Sequence, residues 1–171
     1  WAKLNNLKQA AKTMNFLTEH GISSYGELEG KLSAVSARRD TAHAEIKRIE
    51  SRSAELTLVM KHAETYRQLK PLYDRYRKSG DKEKFLRGHE SEIILFEAAA
   101  RELKRLGAVP LPITESMKTE LAKLNAEKER LLTEYKTART EAQEYDTVKQ
   151  NMDALLHGSE EKEQGKSYEL T

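Results

Sequence analysis

A basic and aromatic stretch from Tyr66 to Lys78 contains the residues best suited to binding chemistry. It reads YRQLKPLYDRYRK and interleaves three tyrosines with five lysines or arginines. Lysine and arginine bind backbone phosphates, and tyrosine rings stack on the unpaired bases of a single strand. The alternative is that tyrosines at helical spacing form a core, with the cations as its solvated face. With two cations that follow, the candidate DNA-binding residues are Arg67, Lys70, Tyr73, Arg75, Tyr76, Arg77, Lys78, Lys84 and Arg87.

The other reactive side chains form no catalytic pattern. The chain has five histidines and no cysteine, and no histidine follows a glutamate at the Glu-x-x-His spacing of di-iron bundles. Nothing resembles a nucleophile elbow, a phosphate-binding glycine loop or a paired acid and base. His89 and Glu92 have the spacing of an ordinary helical pair. We therefore predict no metal, no cofactor and no enzymatic activity for this chain.

Positive charge is concentrated around the basic aromatic stretch. The net charge of the chain is only +2, but residues 61–88 contain nine lysines or arginines and four acids. That region is therefore +5 and the remainder −3. The tail after Gly158 is acidic and polar, a composition typical of disorder.

Two runs of apolar residues with a 3.5-residue period flank the basic region. This period is typical of a narrow seam that packs against another helix. We predict that the runs pair as an antiparallel coiled-coil stalk; a simple up-down-up bundle, with the two helices parallel, is the alternative. The first run comprises Leu28, Leu32, Val35, Ala42, Ile46, Ile49, Leu56, Met60 and Ala63. The second comprises Met117, Leu121, Leu124, Leu131, Tyr135, Ala138, Ala142, Tyr145, Met152 and Leu156.

Local signals set the predicted helix boundaries. Gly21 suits a left-handed helix end, Ser24 and Glu27 form a capping box, and Asp81 and Thr114 can cap later helices. Pro71 predicts a kink or a short break near residues 68–70. The polar seam residues Arg39, Ser53, Lys128 and Lys149 either fix the register or extend to solvent at the seam edge.

The resulting expectation is an all-α, elongated protein with a small helical head on the stalk. Residues 1–22 form an N-terminal helix that packs on the stalk base, and residues 24–63 form the first stalk helix. Residues 64–120 form the basic aromatic head, 121–157 the second stalk helix, and 158–171 a disordered acidic tail.

The composition indicates long solvated helices, with 34% charged and 6% aromatic residues. The longest bulky apolar run, Ile93 to Phe96, is far shorter than the roughly 20 residues of a membrane span. We expect no membrane association, and the lack of cysteine is typical of a cytoplasmic protein. Because the chain begins at Trp1 without a methionine, we expect it to be a piece of a longer protein.

Several spaced residues resemble a known family. They are Tyr66, Leu69-Lys70, Tyr73 and Tyr76-Arg77, then Lys84-Phe85-Leu86, His89 and Glu92-Ile93, then Ala98 and Leu111-Pro112. The segments 1–9, 17–22, 127–128 and 134–135 fit the same pattern. Together they resemble the helical region that follows the nuclease domain of bacterial relaxases, the mobilisation proteins of conjugative and mobilisable elements.

This resemblance implies an accessory role in DNA transfer. Relaxases nick one strand at an origin of transfer with a tyrosine and a histidine-bound metal, in an amino-terminal domain that this chain lacks. No catalytic residue is carried over. The resemblance implies a non-catalytic bacterial domain that assists binding of single-stranded or origin-of-transfer DNA, or relaxosome assembly. The alternative is a protein-interaction arm or spacer that contacts relaxosome proteins, the coupling protein or a second copy of itself.

Overall fold

The computed structural model is built from α-helices, which confirms the predicted all-α class. It describes the backbone of residues 2–168 and the side chains of residues 7–156. In that part of the chain the helices are α1 (Ala2–Glu19), α2 (Tyr25–Lys78), α3 (Lys82–Arg105) and α4 (Thr114–Tyr168). Helices α2 and α4 contain the two heptad runs.

The chain divides into two compact units. The first unit comprises residues 1–45 and 131–171, and the second comprises residues 46–130. Both division points lie inside the heptad runs, whereas the sequence predicted a boundary between stalk and head at residues 63/64 and 120/121. The second unit therefore contains the basic aromatic stretch together with five of the nine residues of the first heptad run and three of the ten of the second.

In the first unit, α2 and α4 are antiparallel. The Tyr25 hydroxyl donates to Asp153 Oδ1 at 2.6 Å, and Lys149 Nζ lies 2.9 Å from Glu29 Oε1. Further along α2, Arg38 Nη2 is 2.6 Å from Glu141 Oε2. Residue numbers rise along one helix as they fall along its partner, so the antiparallel prediction is confirmed for this pair.

In the second unit, the same two helices are again antiparallel. Lys128 Nζ lies 2.6 Å from Glu50 Oε1, and Arg52 Nε lies 2.8 Å from Glu120 Oε1. The parallel alternative is therefore wrong within both units. Of the polar seam residues, Lys128 and Lys149 both reach the facing helix, at the partly exposed seam edge. Arg39 instead pairs with its neighbour Asp40, and Ser53 Oγ is buried without a hydrogen-bond partner in the described region.

The core of the first unit joins α1 to the helix pair. Leu17 and Ile22 pack with Leu28, Tyr145 and Val148. The turn after α1 is made by Gly21 at φ 60°, with the Ile22 N–H bonded to the Leu17 carbonyl at 2.8 Å. A left-handed residue at this point costs little only in glycine. Within this unit the end of α1 and the turn after it thus pack against both long helices.

The core of the second unit joins α3 to the helix pair. Leu103 of α3 packs with Leu56, Val59, Ala63 and Met117. Gly107, at φ 68°, ends α3 in the same way as Gly21 ends α1, because the Ala108 N–H bonds the Leu103 carbonyl at 2.9 Å. The connector, residues 106–113, leads from there to α4.

The helix starts largely follow the sequence signals. Ser24 Oγ accepts from the Glu27 N–H at 3.2 Å, while Glu27 Oε2 accepts from the Ser23 N–H at 2.7 Å instead of completing the box on Ser24. These bonds lower the pKa of Glu27. Asp81 Oδ1 accepts from the Lys84 N–H at 2.9 Å, as a cap should. Thr114 is already helical, and its hydroxyl accepts from Arg67.

Two expectations about helix continuity differ from the structure. Helix α2 runs unbroken through Pro71, so the predicted break at residues 68–70 is absent from it. Pro71 is exposed, and because it has no N–H it cannot bond the Arg67 carbonyl one turn earlier. Helix α4 continues to Tyr168, so residues 158–168 are helical where a disordered tail was predicted. Residues 169–171 lie outside the described part.

Candidate nucleic-acid interface

The last turns of α2 place the tyrosines and the cations of the basic aromatic stretch at different positions around the helix. At 3.6 residues per turn, Tyr66, Tyr73 and Tyr76 fall on one side of the helix. Arg75 and Lys78 fall on the other side, Arg67 lies between the two sides, and Lys70 and Arg77 lie beside the tyrosines; all five cations are exposed. We call these five exposed cations, Arg67, Lys70, Arg75, Arg77 and Lys78, the basic face.

The tyrosines pack inward against α3. Phe96, only 5% exposed, stacks on Tyr73 with ring centroids 4.2 Å apart and on Tyr66 at 4.7 Å. Tyr76 lies near Phe85, at 6.0 Å between centroids. Burial, followed by the nearby Glu97 carboxylate, raises the pKa of Tyr73. Phe96 therefore covers one face of the Tyr73 ring and one face of the Tyr66 ring, and of these two tyrosines Tyr66 is the one that lines the groove described below.

The cations of the basic face differ in how far they are neutralised. Asp74 is the acidic residue in the stretch, and it lies 2.9 Å from Lys70 Nζ, raising the pKa of that lysine. Among the described residues, Arg75, Arg77 and Lys78 contact no carboxylate at ion-pair distance. Three cations in the final turn of α2 thus keep their full charge for an external anion.

Arg67 is held in place by the connector. Its Nη2 donates to the Pro112 carbonyl at 2.8 Å, and its Nη1 donates to the Thr114 hydroxyl. The guanidinium group has five N–H donors. Arg67 therefore joins α2 to the start of α4 and still has N–H groups to offer at the surface.

Lys84 and Arg87, the other predicted DNA-binding residues, lie in the first turns of α3. Both are exposed. The Arg87 side chain lies 3.7 Å from Glu83, a long ion pair between two largely solvated groups. Lys84 has its backbone bonded to the Asp81 cap, and in the described region its ammonium group forms no ion pair. They extend positive charge beyond the basic face without forming a defined pocket.

A groove borders the basic face in the second unit. Its volume is about 720 Å³. The groove is lined by α2, α3 and the connector, through Tyr66, Arg67, Lys70, Ala100, Leu103, Lys104, Gly107, Val109, Pro110 and Leu111. Most of the lining is apolar, and the three cations among these residues include two from the basic face. The groove therefore combines an apolar wall with positive charge.

The sequence did not reveal Phe96 as the centre of the aromatic packing, nor Lys104 and the connector as walls of a groove. Heptad spacing describes which residues of one helix share a face, whereas these contacts join three separate segments. The proline-rich composition of residues 107–112 was the available signal, since stiff connectors keep a fixed shape. That signal predicts rigidity but not which side chains the connector meets.

The histidines and carboxylates form no metal site in the part of the chain that the structure describes. His89 Nδ1 lies 3.7 Å from Glu92 Oε1, so the two are neighbours as predicted, but the distance exceeds a hydrogen bond. The His89 ring contacts Phe85, at 4.8 Å between centroids.

Scans against protein-family models, curated proteins and solved structures found no match to the chain. Among the described residues, no helix is long and apolar enough to cross a membrane.

Proposed function

We propose that this chain is a non-catalytic accessory module of a DNA-transfer relaxase, and that its basic face binds the phosphate backbone of DNA. Two lines support the proposal. The spaced residues from Tyr66 to Pro112 resemble the helical region of relaxases. Independently, Arg75, Arg77 and Lys78 are exposed in the last turn of α2 without an ion-pair partner in the described region.

The unpaired cations carry the proposal. Elsewhere in this chain, Arg130 pairs with Glu127 and Arg105 with Glu102, each three residues away. In the last turn of α2 the nearby acid Asp74 bonds Lys70 instead, so Arg75, Arg77 and Lys78 have no ion-pair partner in the described region. Positive side chains also complement a helix C-terminus, by about 0.3–1 kcal/mol each. Stabilising the end of α2 needs only positive charge near the last backbone carbonyls of the helix, and this role predicts no affinity for DNA.

The test compares two triple charge reversals. The first variant carries R75E, R77E and K78E on the basic face. The matched control carries K47E, K123E and K136E at exposed positions elsewhere, so both variants change the net charge equally. Binding of a fluorescent 20-residue oligonucleotide is measured as a function of salt, with nicking of plasmid DNA monitored in parallel.

We expect the basic-face variant to lose most of its affinity and the control to lose little. Each phosphate contact contributes about 0.7–0.9 to the slope of log affinity against log salt, so the slope should fall by about two to three. Both variants should unfold like the wild type, and no protein should nick DNA. Equal losses in the two variants, or nicking that survives purification, would contradict the proposal.

A protein-interaction arm is the second candidate. Ile94 and Leu95 are adjacent on α3 and are 54% and 55% exposed, although both are bulky and apolar. Such residues suit contact with a relaxosome protein, the coupling protein or a second copy of the chain. Absence of DNA binding by the wild type even at low salt would favour this function over the first.

A further inference from the structure

The groove beside the basic face has the size and lining of a ligand site. Its volume of about 720 Å³ lies within the range of about 300–1,000 Å³ typical of small-ligand pockets. One wall is formed by Tyr66 and Leu103, and the connector supplies Val109, Pro110 and Leu111. Val109 is 64% exposed, so this wall is open to an incoming group.

Positive charge accompanies the apolar wall. Arg67, Lys70 and Lys104 all border the groove. Arg67 is fixed by its bonds to Pro112 and Thr114, so its guanidinium group is oriented before any ligand arrives. In the described region Lys104 has no ion-pair partner. A ligand that fills this groove should therefore have a flat or bulky apolar part joined to an anionic group.

We infer that the groove accepts an unpaired base of single-stranded DNA, with the adjoining phosphate held by Arg67, Lys70 or Lys104. This inference rests on the proposed function, because Arg67 and Lys70 belong both to the groove and to the basic face. A DNA strand bound along the basic face therefore reaches the groove while its phosphates stay next to Arg67 and Lys70. A base in duplex DNA is stacked and paired, so the groove should favour single strands.

The roles of the two surfaces are then distinct. The basic face neutralises phosphates in any DNA, whereas the groove distinguishes single-stranded from duplex DNA. The base would lie against the apolar connector and Tyr66, and Tyr73 would remain packed on Phe96. The preference for single-stranded DNA therefore comes from the groove beside Tyr66. It does not require Tyr73 to leave Phe96.

The test uses oligothymidylate, the same strand with every base replaced by an abasic site, and a duplex of equal length. The variant V109D introduces a charge on the groove wall at an exposed position. The control I113D introduces the same charge at a residue that is 74% exposed and does not line the groove. Thermal melting of each protein confirms that it is folded.

We expect the wild type to bind oligothymidylate about 5- to 160-fold more tightly than the abasic strand, the range for one stacked base. V109D should bind the two strands equally, while I113D should keep the wild-type preference. Duplex affinity should be similar in V109D and I113D. The abasic strand tests the wild-type protein itself, so the result does not depend on any variant.

The outcomes separate this inference from the proposed function. If the wild type binds all three DNAs with equal affinity, the groove takes no base, yet DNA binding by the basic face stands. Equal loss of preference in V109D and I113D would also overturn the inference, since the effect would then follow charge alone. If no DNA binds at low salt, the proposed function itself fails.

Discussion

The tyrosines and the cations of α2 between Tyr66 and Lys78 alternate in the sequence but lie in different environments. On the inner face, Tyr66 and Tyr73 are half-buried and stack on Phe96. In the last turn of the same helix, Arg75, Arg77 and Lys78 are exposed and form no ion pair within the described region. The comparison shows that alternating tyrosine and arginine in the sequence need not make an interleaved binding surface.

Helical phase explains the separation. Residues adjacent in sequence point about 100° apart at 3.6 residues per turn, so Tyr76 and Arg77 leave the helix in different directions. Tyr66 shares the groove with Arg67 and Lys70, whereas Tyr73 is packed on Phe96 and does not line the groove. In α2 the aromatic residues stabilise the second unit and the cations are available for binding.

The largest effect is expected from removing the centre of the inner face. F96A should lower the free energy of unfolding by about 3–5 kcal/mol, because a buried aromatic ring is lost and a cavity is left between the two tyrosines. The control I94A, on the exposed side of the same helix, should change stability by no more than about 0.5 kcal/mol. Urea unfolding followed by circular dichroism measures both.

DNA binding of F96A sharpens the comparison. Measured where F96A is still folded, its affinity for duplex DNA should match that of the wild type, because the basic face is unchanged. A folded F96A protein that binds duplex DNA tenfold more weakly would show that the two faces act together.

The sequence predicted the parts of this fold that depend on periodicity and on local capping. The 3.5-residue spacing identified the seam, and the seam lysines Lys128 and Lys149 pair with glutamates of the facing helix in the antiparallel order. Gly21 and Asp81 act where the sequence placed them. In each case the information lies within a few residues, or in a repeat that continues for many turns.

Features that join distant segments were not predictable in this way. Phe96 meets Tyr73 across two helices, and Arg67 reaches the connector 45 residues away in the chain. Pro71 shows the same limit, since its local preference for a break was outweighed by a continuous helix on either side. The composition of the sequence identified the cations of the candidate site. The helical structure was needed to show how each cation is placed relative to the tyrosines.

Arg67 lies between the tyrosines and the exposed cations, and we expect its substitution to change stability less than F96A does. R67A should lower the free energy of unfolding by about 1 kcal/mol, because the bonds to Pro112 and Thr114 are lost from an exposed site. It should also reduce the salt slope of DNA binding by about 0.7–0.9. R67K keeps the charge but not the planar fork, so it should retain the slope while losing part of the stability.

The control for Arg67 is R75A, which removes an exposed cation that forms no ion pair in the described region. R75A should reduce the salt slope by a similar amount and leave unfolding unchanged within about 0.5 kcal/mol. If R67A and R75A were indistinguishable in both measurements, Arg67 would belong to the basic face alone and the connector contacts would contribute nothing measurable.

The smallest effect concerns the hydroxyl group of Tyr73 and appears only at high pH. Burial, followed by Glu97, raises the pKa of Tyr73 above the ordinary value of about 10. A raised pKa means that the folded state holds the proton more tightly, so this contribution is fully present below pH 10 and is lost as the pH rises through the folded-state pKa.

The bond from the hydroxyl to Glu97 is long, at 3.4 Å, and Y73F should therefore change stability at pH 7 by less than about 0.5 kcal/mol. Above pH 10, Y73F should lose less stability than the wild type in urea titrations, while its affinity for duplex DNA at pH 7 stays unchanged. If the stability of the two proteins fell equally with rising pH, Tyr73 would be as solvated as the exposed cations. That result would contradict the distinction drawn here between the tyrosines and the cations.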